Sequence, residues 1–219
     1  MGPKVIACRA VMEQLRPFLP EGTETEVLEI GLHVRPEALQ KRIQHAVGAA
    51  DGLFDPIYLG YGMCSKALLG VVAHKSRLVV PRSDDCIELF LGSREARMRE
   101  LRTAPGTYFI TQGTVGRGLS SVFPEYDAAV ARYGRVKAER LMSVMLRHYT
   151  RLAYIRMPGA RDLEQDRETA RRIASQFGMQ AVEIEGTAAW LSRLVATEWD
   201  EQFIVTEPGQ ALERRHFMT

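Results

Sequence analysis

Pro56-Ile57-Tyr58-Leu59-Gly60-Tyr61-Gly62-Met63-Cys64 reads as a β-strand that leaves its sheet through a glycine-flanked turn and arrives at a cysteine. The same arrangement recurs along the first third of the chain. Ile6 and Ala7 lead into Cys8, Leu28 to Leu32 into His33, and Leu78 to Arg82 into Cys86; no other cysteine exists in the sequence. Strand ends of an open parallel sheet share one edge, and that edge is where such folds bind ligands. A metal or cluster site on it is the leading expectation.

Working outward, strands and helices alternate almost throughout. Strands are predicted at Lys4 to Cys8, Glu26 to Leu32, Pro56 to Gly60, Leu78 to Pro81 and Thr107 to Thr111. Helices are predicted at Met12 to Phe18, Pro36 to Gly48, Ser65 to His74 and Ile87 to Leu101. Pro36 suits a first helical turn, where its missing N–H is not needed, and Leu39, Ile43 and Val47 repeat at the spacing of a buried stripe. A helical region from Tyr126 to about Tyr149, interrupted near Gly134, carries Leu141, Val144, Met145 and His148 on one side. Beyond it come strand Leu152 to Met157, helix Leu163 to Phe177, strand Ala181 to Ile184, helix Thr187 to Leu194 and strand Phe203 to Thr206. Such alternation implies an α/β class fold: a layered, mostly parallel sheet or sheets flanked by helices, with Rossmann-like alternation. The expected division is 1–125, an α/β half with the metal site, and 126–219, a helical connection with a second α/β half; a single continuous domain is the alternative.

Composition is that of an ordinary globular protein, with 46% hydrophobic and 26% charged residues. A net charge of +2 gives no long-range argument for nucleic acid, and the arginines of 94–102 and 167–172 alternate with acids, as solvated helix faces do. No apolar run approaches the ~18 residues of a membrane span, and Met1-Gly2-Pro3-Lys4 runs into a strand without a signal-like core, so a cytoplasmic location is expected. An odd number of cysteines in a reducing compartment leaves metal binding, catalysis or burial as their uses.

Thiolate and neutral imidazole together suit zinc, and thiolates also hold iron–sulfur clusters. Cys64 and Cys86 each precede a predicted helix, whose amino-terminal N–H groups favour the thiolate. Taken singly, each cysteine reads first as a small apolar core residue. Their equivalent positions at successive strand ends favour a shared site formed by Cys8, Cys64 and Cys86, with His33 as fourth ligand or nearby acid/base.

Several segments resemble the domain of unknown function 1638 family. They are Gly60-Tyr61-Gly62-Met63-Cys64, Pro81-Arg82-Ser83-Asp84-Asp85-Cys86-Ile87 with Leu91-Gly92-Ser93, and Pro105-Gly106-Thr107-Tyr108-Phe109. Leu32-His33, Tyr133-Gly134, Tyr149-Thr150-Arg151 and Glu207-Pro208-Gly209 extend the likeness over nearly the whole chain. The resemblance implies that Cys8, His33, Cys64 and Cys86 match positions where the family carries those residue types. It also implies a context of corrinoid-linked methyl transfer. The chain departs from the family after Gly113, where Thr114 stands in place of a tryptophan.

Other residues carry weaker signals. Gly113, Gly116 and Gly118 offer backbone N–H groups to a phosphate-bearing cofactor, although their order is neither GxGxxG nor a Walker loop and a simple Gly-rich loop is the favoured reading. Asp84 or Asp85 can cap the helix that follows; Asp85 also stands beside Cys86 as a proton acceptor or orienting group. Arg82 suits an anionic substrate, and Tyr61 either donates a proton or packs. His148 on its apolar stripe reads as a core histidine, and His45, His74 and His216 as solvated. No GxSxG nucleophile elbow occurs.

These readings combine into a metal-dependent transferase or lyase acting on a small-molecule substrate, with zinc activating a thiol or methyl-group substrate, Asp85 and Arg82 orienting it and Tyr61 as a candidate proton donor. One alternative is a [4Fe-4S] cluster held by three cysteines with one open iron. Another is a non-catalytic accessory protein whose structural metal stabilises a module that binds a corrinoid protein or methyltransferase. Neither nucleic acid nor a membrane is expected as a partner.

Overall fold

Lys4–Cys8 forms β1, an apolar run buried from Val5 onward, as a strand covered on both faces requires. The computed structural model describes residues 1–64, 66–115, 122–123, 125–161 and 163–218, except the side chains of Ile30 and Val34. The chain divides into two compact units, Met1–Ser93 with Ala188–Thr219 and Arg94–Thr187. The boundary expected at 125/126 therefore falls inside the second unit, and the last 32 or so residues return to the first.

In the first unit, β1 is followed by α1 (Arg9–Leu15) and a 3-10 turn, Arg16–Phe18. Next come β2 (Glu24–Leu28), α2 (Pro36–Ala50), β3 (Ile57–Gly60), β4 (Leu78–Pro81), α3 (Cys86–Leu91), α9 (Ala189–Val195), β8 (Phe203–Val205) and α10 (Arg214–Phe217). The sheet order is β2-β1-β3-β4-β8. All pairs are parallel except β4 with β8. Chain progression reverses between β1 and β3, and an open α/β sheet opens a crevice at such a reversal, beyond the carboxyl ends of its strands. The neighbouring strands β1, β3 and β4 are the three that lead to the cysteines.

The second unit holds α4 (Arg94–Thr103), β5 (Thr107–Thr111), α5 (Gln112–Val115), α6 (Glu125–Tyr133), α7 (Arg135–Met145), β6 (Arg151–Arg156), α8 (Leu163–Gln176) and β7 (Gln180–Glu185). Its sheet is all parallel, in the order β5-β6-β7. Ile110, Phe123, Leu152, Tyr154 and Ile173 centre the core, and Phe123 packs edgewise on Phe177 at 5.4 Å between ring centroids. Tyr154 donates a 2.8 Å hydrogen bond to Asp166, so a buried carboxylate is met by a buried phenol.

The α/β class holds, and three local expectations change. The long helix over 87–101 is two helices, because Gly92 takes the left-handed conformation (φ 84°) and ends α3 after six residues. The region expected as helix from Ser65 to His74 runs as turns over 66–70. Its backbone is satisfied from α2 instead: Gln40 donates to the Leu69 carbonyl, and Gln44 both donates to Val72 O and accepts from Val72 N at 2.9 Å. The apolar stripe Leu141, Val144 and Met145 is exposed, while Ala138, Met142 and Leu146 are the buried positions of that segment.

Candidate functional site

Cys8 is the final residue of β1 and the N-cap of α1, and it is buried. Burial raises its thiol pKa, against the Val11 and Ala10 N–H groups that favour the thiolate. Cys64 lies four residues past β3 in the left-handed region, φ 44°, where a non-glycine residue is uncommon. Its backbone is fixed on both sides: the N–H donates to Asp84 O at 2.9 Å, and its carbonyl accepts from Ala67 N at 3.1 Å. Met63 N–H donates to Ser83 O at 2.8 Å, so the β3 and β4 extensions stay paired beyond the sheet.

That pairing needs Gly62. A Cβ there would lie 2.6 Å from Ser83 Oγ and 2.7 Å from the Asp85 backbone nitrogen, distances no side chain tolerates. The glycine thus lets the Cys64 turn close against the Cys86 turn.

Cys86 opens α3. Partly exposed as a residue, it ends in a thiol whose pKa is pushed well up by burial and then by the charges of Cys64 and Cys8. Cys64 is raised by burial, then by Cys8 and Asp85, while the N–H groups of Gly62 and Cys86 lower it. Cys86 therefore feels both other thiols, and Cys64 feels Cys8. Tyr61, 1% exposed, is held protonated by burial and by Cys8, Cys64 and Cys86. Among the described residues its hydroxyl has no hydrogen-bond partner, nor has the buried hydroxyl of Ser83. Buried polar groups are ordinarily satisfied. Tyr61 and Ser83 thus hold two buried hydroxyls without a hydrogen-bond partner on the loops that carry Cys64 and Cys86.

His33 lies in a 3-10 turn, Ile30–Val34, because β2 ends at Leu28 rather than at Leu32. Its ring centroid is 6.0 Å from that of Tyr61, which brings it to the same edge. Among the described residues no three or more His, Cys, Asp and Glu side chains already stand as a metal-holding group.

Two of the expected orienting residues are engaged structurally. Asp85 caps α3, accepting from Ile87 N at 3.0 Å and Glu88 N at 3.4 Å. Arg82 turns its guanidinium to the Glu201 carbonyl at 2.7 Å, and its own N–H donates to Gln202 O. Gly113 lies in the helical turn α5 of the second unit, where Thr114 Oγ1 accepts from Thr111 N at 2.9 Å; Gly116 and Gly118 lie outside the described residues. Sequence reasoning missed Ser83 and Glu88. Glu88 is 1% exposed and accepts from Asp84 N at 3.0 Å, so it buttresses the loop carrying Cys86. Its place one turn into α3 was the only available signal.

A family model described as "Protein of unknown function (DUF1638)" matches residues 27–195, more than half of the chain. The chain belongs to the DUF1638 family. Within this DUF1638 chain the matched span contains His33, Tyr61, Cys64, Ser83 and Cys86, whereas Cys8 precedes it. No curated protein and no solved structure matches the chain. No helix among the described residues of this DUF1638 chain is long and apolar enough to cross a membrane.

Proposed function

We propose that the first unit is a thiolate metal centre, held by Cys8, Cys64 and Cys86 with His33 as fourth ligand or neighbouring acid/base, and that it serves group-transfer chemistry on a small-molecule thiol or methyl donor. The observation that carries this reading is the strand order: three cysteines issue from the carboxyl ends of three adjacent parallel strands, β1, β3 and β4, at the reversal of the sheet. The donor set fits zinc, which takes sulfur and imidazole ligands in tetrahedral sites.

Cysteine ligates as the thiolate, so Cys8, Cys64 and Cys86 would release their protons on taking up the metal. When bound, zinc supplies a Lewis acid that lowers the pKa of a coordinated substrate thiol. The chain's own residues do the rest. Tyr61, held protonated, would donate a hydrogen bond to a bound substrate. Ser83 provides a second hydroxyl, and Gly62 holds the two turns at closing distance. Asp85 and Arg82 contribute by fixing α3 and the β8 approach rather than by touching substrate. A one-carbon role linked to corrinoid proteins belongs to this proposal as the context the family resemblance implies.

Elemental analysis and an absorption spectrum of anaerobically purified protein test it. Colourless protein with about one zinc per chain is expected. Brown protein containing iron and sulfide transfers the same cysteines to a cluster. Absence of every metal, together with failure of the metal-free protein to take up zinc, contradicts the proposal.

A further inference from the structure

We propose that the outer face of α7, with the groove beside it, docks an acidic amphipathic helix of a partner protein. Val136, Val144 and Met145 are 69%, 59% and 56% exposed, and Leu141 and Tyr133 flank them at 39% and 41%. The opposite side of the same helix is already buried in its own unit through Ala138 and Met142. A helix apolar on two sides ordinarily has both covered. In this chain one covering is absent among the described residues.

The uncovered side is concave and cationic. Tyr133, Val136, Leu141 and Val144 line a groove of about 560 Å³ together with Arg135, Lys137 and Arg140. Arg135 is paired with Glu139 at 3.2 Å, whereas Lys137 and Arg140 make no ion pair among the described residues. Lys137 instead lies 5.0 Å over the Tyr133 ring, and Arg132 lies 5.2 Å from it. Between 132 and 147 the chain carries five Arg or Lys and one Glu.

Charge and shape select the occupant. A second copy would set Lys137 and Arg140 against their own counterparts, which is repulsive. A helix lying on a membrane carries Trp, Phe or Leu along its apolar face, and the one such residue exposed between 132 and 147 is Leu141. A groove lined by Val136, Leu141 and Val144 and rimmed by Lys137 and Arg140 is complementary to an amphipathic helix whose apolar stripe fills it and whose acids meet the rim.

The test uses the full chain and a labelled helical peptide of about 20 residues, with Leu at i, i+3, i+4 and i+7 and Glu on the flanks. A sister peptide carries Lys in place of Glu. Fluorescence anisotropy is expected to show saturable binding of the acidic peptide alone, weakened about tenfold or more by Leu141→Ser with Val144→Ser, and likewise by Lys137→Glu with Arg140→Glu. All four positions are surface residues, so circular dichroism of both double variants should match the parent. The proposal is overturned if the acidic peptide does not bind, or binds the variants as well as the parent. It is also overturned if the face instead mediates pelleting with phosphatidylglycerol vesicles, or a dimer in light scattering that the Leu141/Val144 variant abolishes.

Discussion

The backbone N–H of Cys64 donates to the carbonyl of Asp84 at 2.9 Å, two residues before Cys86. Two cysteines 22 positions apart in sequence are thereby locked side by side by main chain alone, whatever their side chains later bind. The pair is built into the fold, and the third cysteine arrives from the neighbouring strand β1.

Gly62→Ala should open that lock. The added methyl would lie 2.7 Å and 2.8 Å from Asp85 N and Cα, backbone atoms that cannot swing aside. Overpacking of this kind costs about 1–3 kcal/mol. Denaturant unfolding is expected to show that loss, and metal uptake should fall with it.

The left-handed backbone at Cys64 predicts an asymmetry between two substitutions. Both Cys64→Ala and Cys64→Gly remove the thiol, yet only glycine adopts φ 44° without a Cβ penalty. Cys64→Gly should be the more stable by about 1 kcal/mol, measured by thermal melting of the metal-free proteins. Equal stabilities would show that the turn holds no conformational strain.

Asp85 joins helix capping to thiol ionisation. Asp85→Ala should cost about 1 kcal/mol through loss of the cap. Asp85→Asn keeps an oxygen for the Ile87 and Glu88 N–H groups and removes the negative charge that raises Cys64 and Cys86. The Asn variant should therefore retain stability while its cysteines ionise at lower pH, followed by alkylation rate against pH.

Metal-free protein should lose stability in alkali. Folding raises the pKa of Cys8, Cys64 and Cys86, chiefly through burial. The unfolded chain ionises its cysteines from about pH 8.5 while the folded chain keeps its protons. The unfolded state thus binds fewer protons, and stability falls as pH rises above that value. Below it the contribution is fully present. Replacing all three cysteines by Ser should flatten the alkaline arm of a denaturation series.

Tyr154 and Asp166 make the corresponding test in the second unit. Tyr154→Phe deprives a buried carboxylate of a 2.8 Å donor. Loss of one hydrogen bond to a charged acceptor costs about 1.5–3 kcal/mol, which denaturant unfolding would measure. Metal binding by the first unit should be unaffected.

The strands were legible because buried parallel strands are written as short apolar runs: Val5 to Cys8, Ile57 to Gly60 and Leu78 to Pro81 are nearly all buried. So was the shared edge, since each run leads to its cysteine. Periodicity failed where two faces competed. In 135–145 the large residues Leu141, Val144 and Met145 outweighed Ala138 and Met142 as a pattern, yet the smaller pair is buried. Nor do the polar residues of α2 announce that Gln40 and Gln44 will replace helical bonding for the 66–72 segment, because that satisfaction is tertiary. Asp85 and Arg82 look catalytic by proximity to Cys86. Their hydrogen bonds to the α3 amino terminus and to Glu201 become visible only when loops distant in sequence meet.

Cobalt(II) titration of the metal-free protein bears most directly on the three-thiol centre, because the intensity of sulfur-to-cobalt charge transfer scales with the number of thiolates bound. One cobalt per chain is predicted, with intensity reduced by about one third in each of Cys8→Ser, Cys64→Ser and Cys86→Ser. No charge-transfer band in the parent protein, or a band unchanged by any one of the three substitutions, would contradict the account.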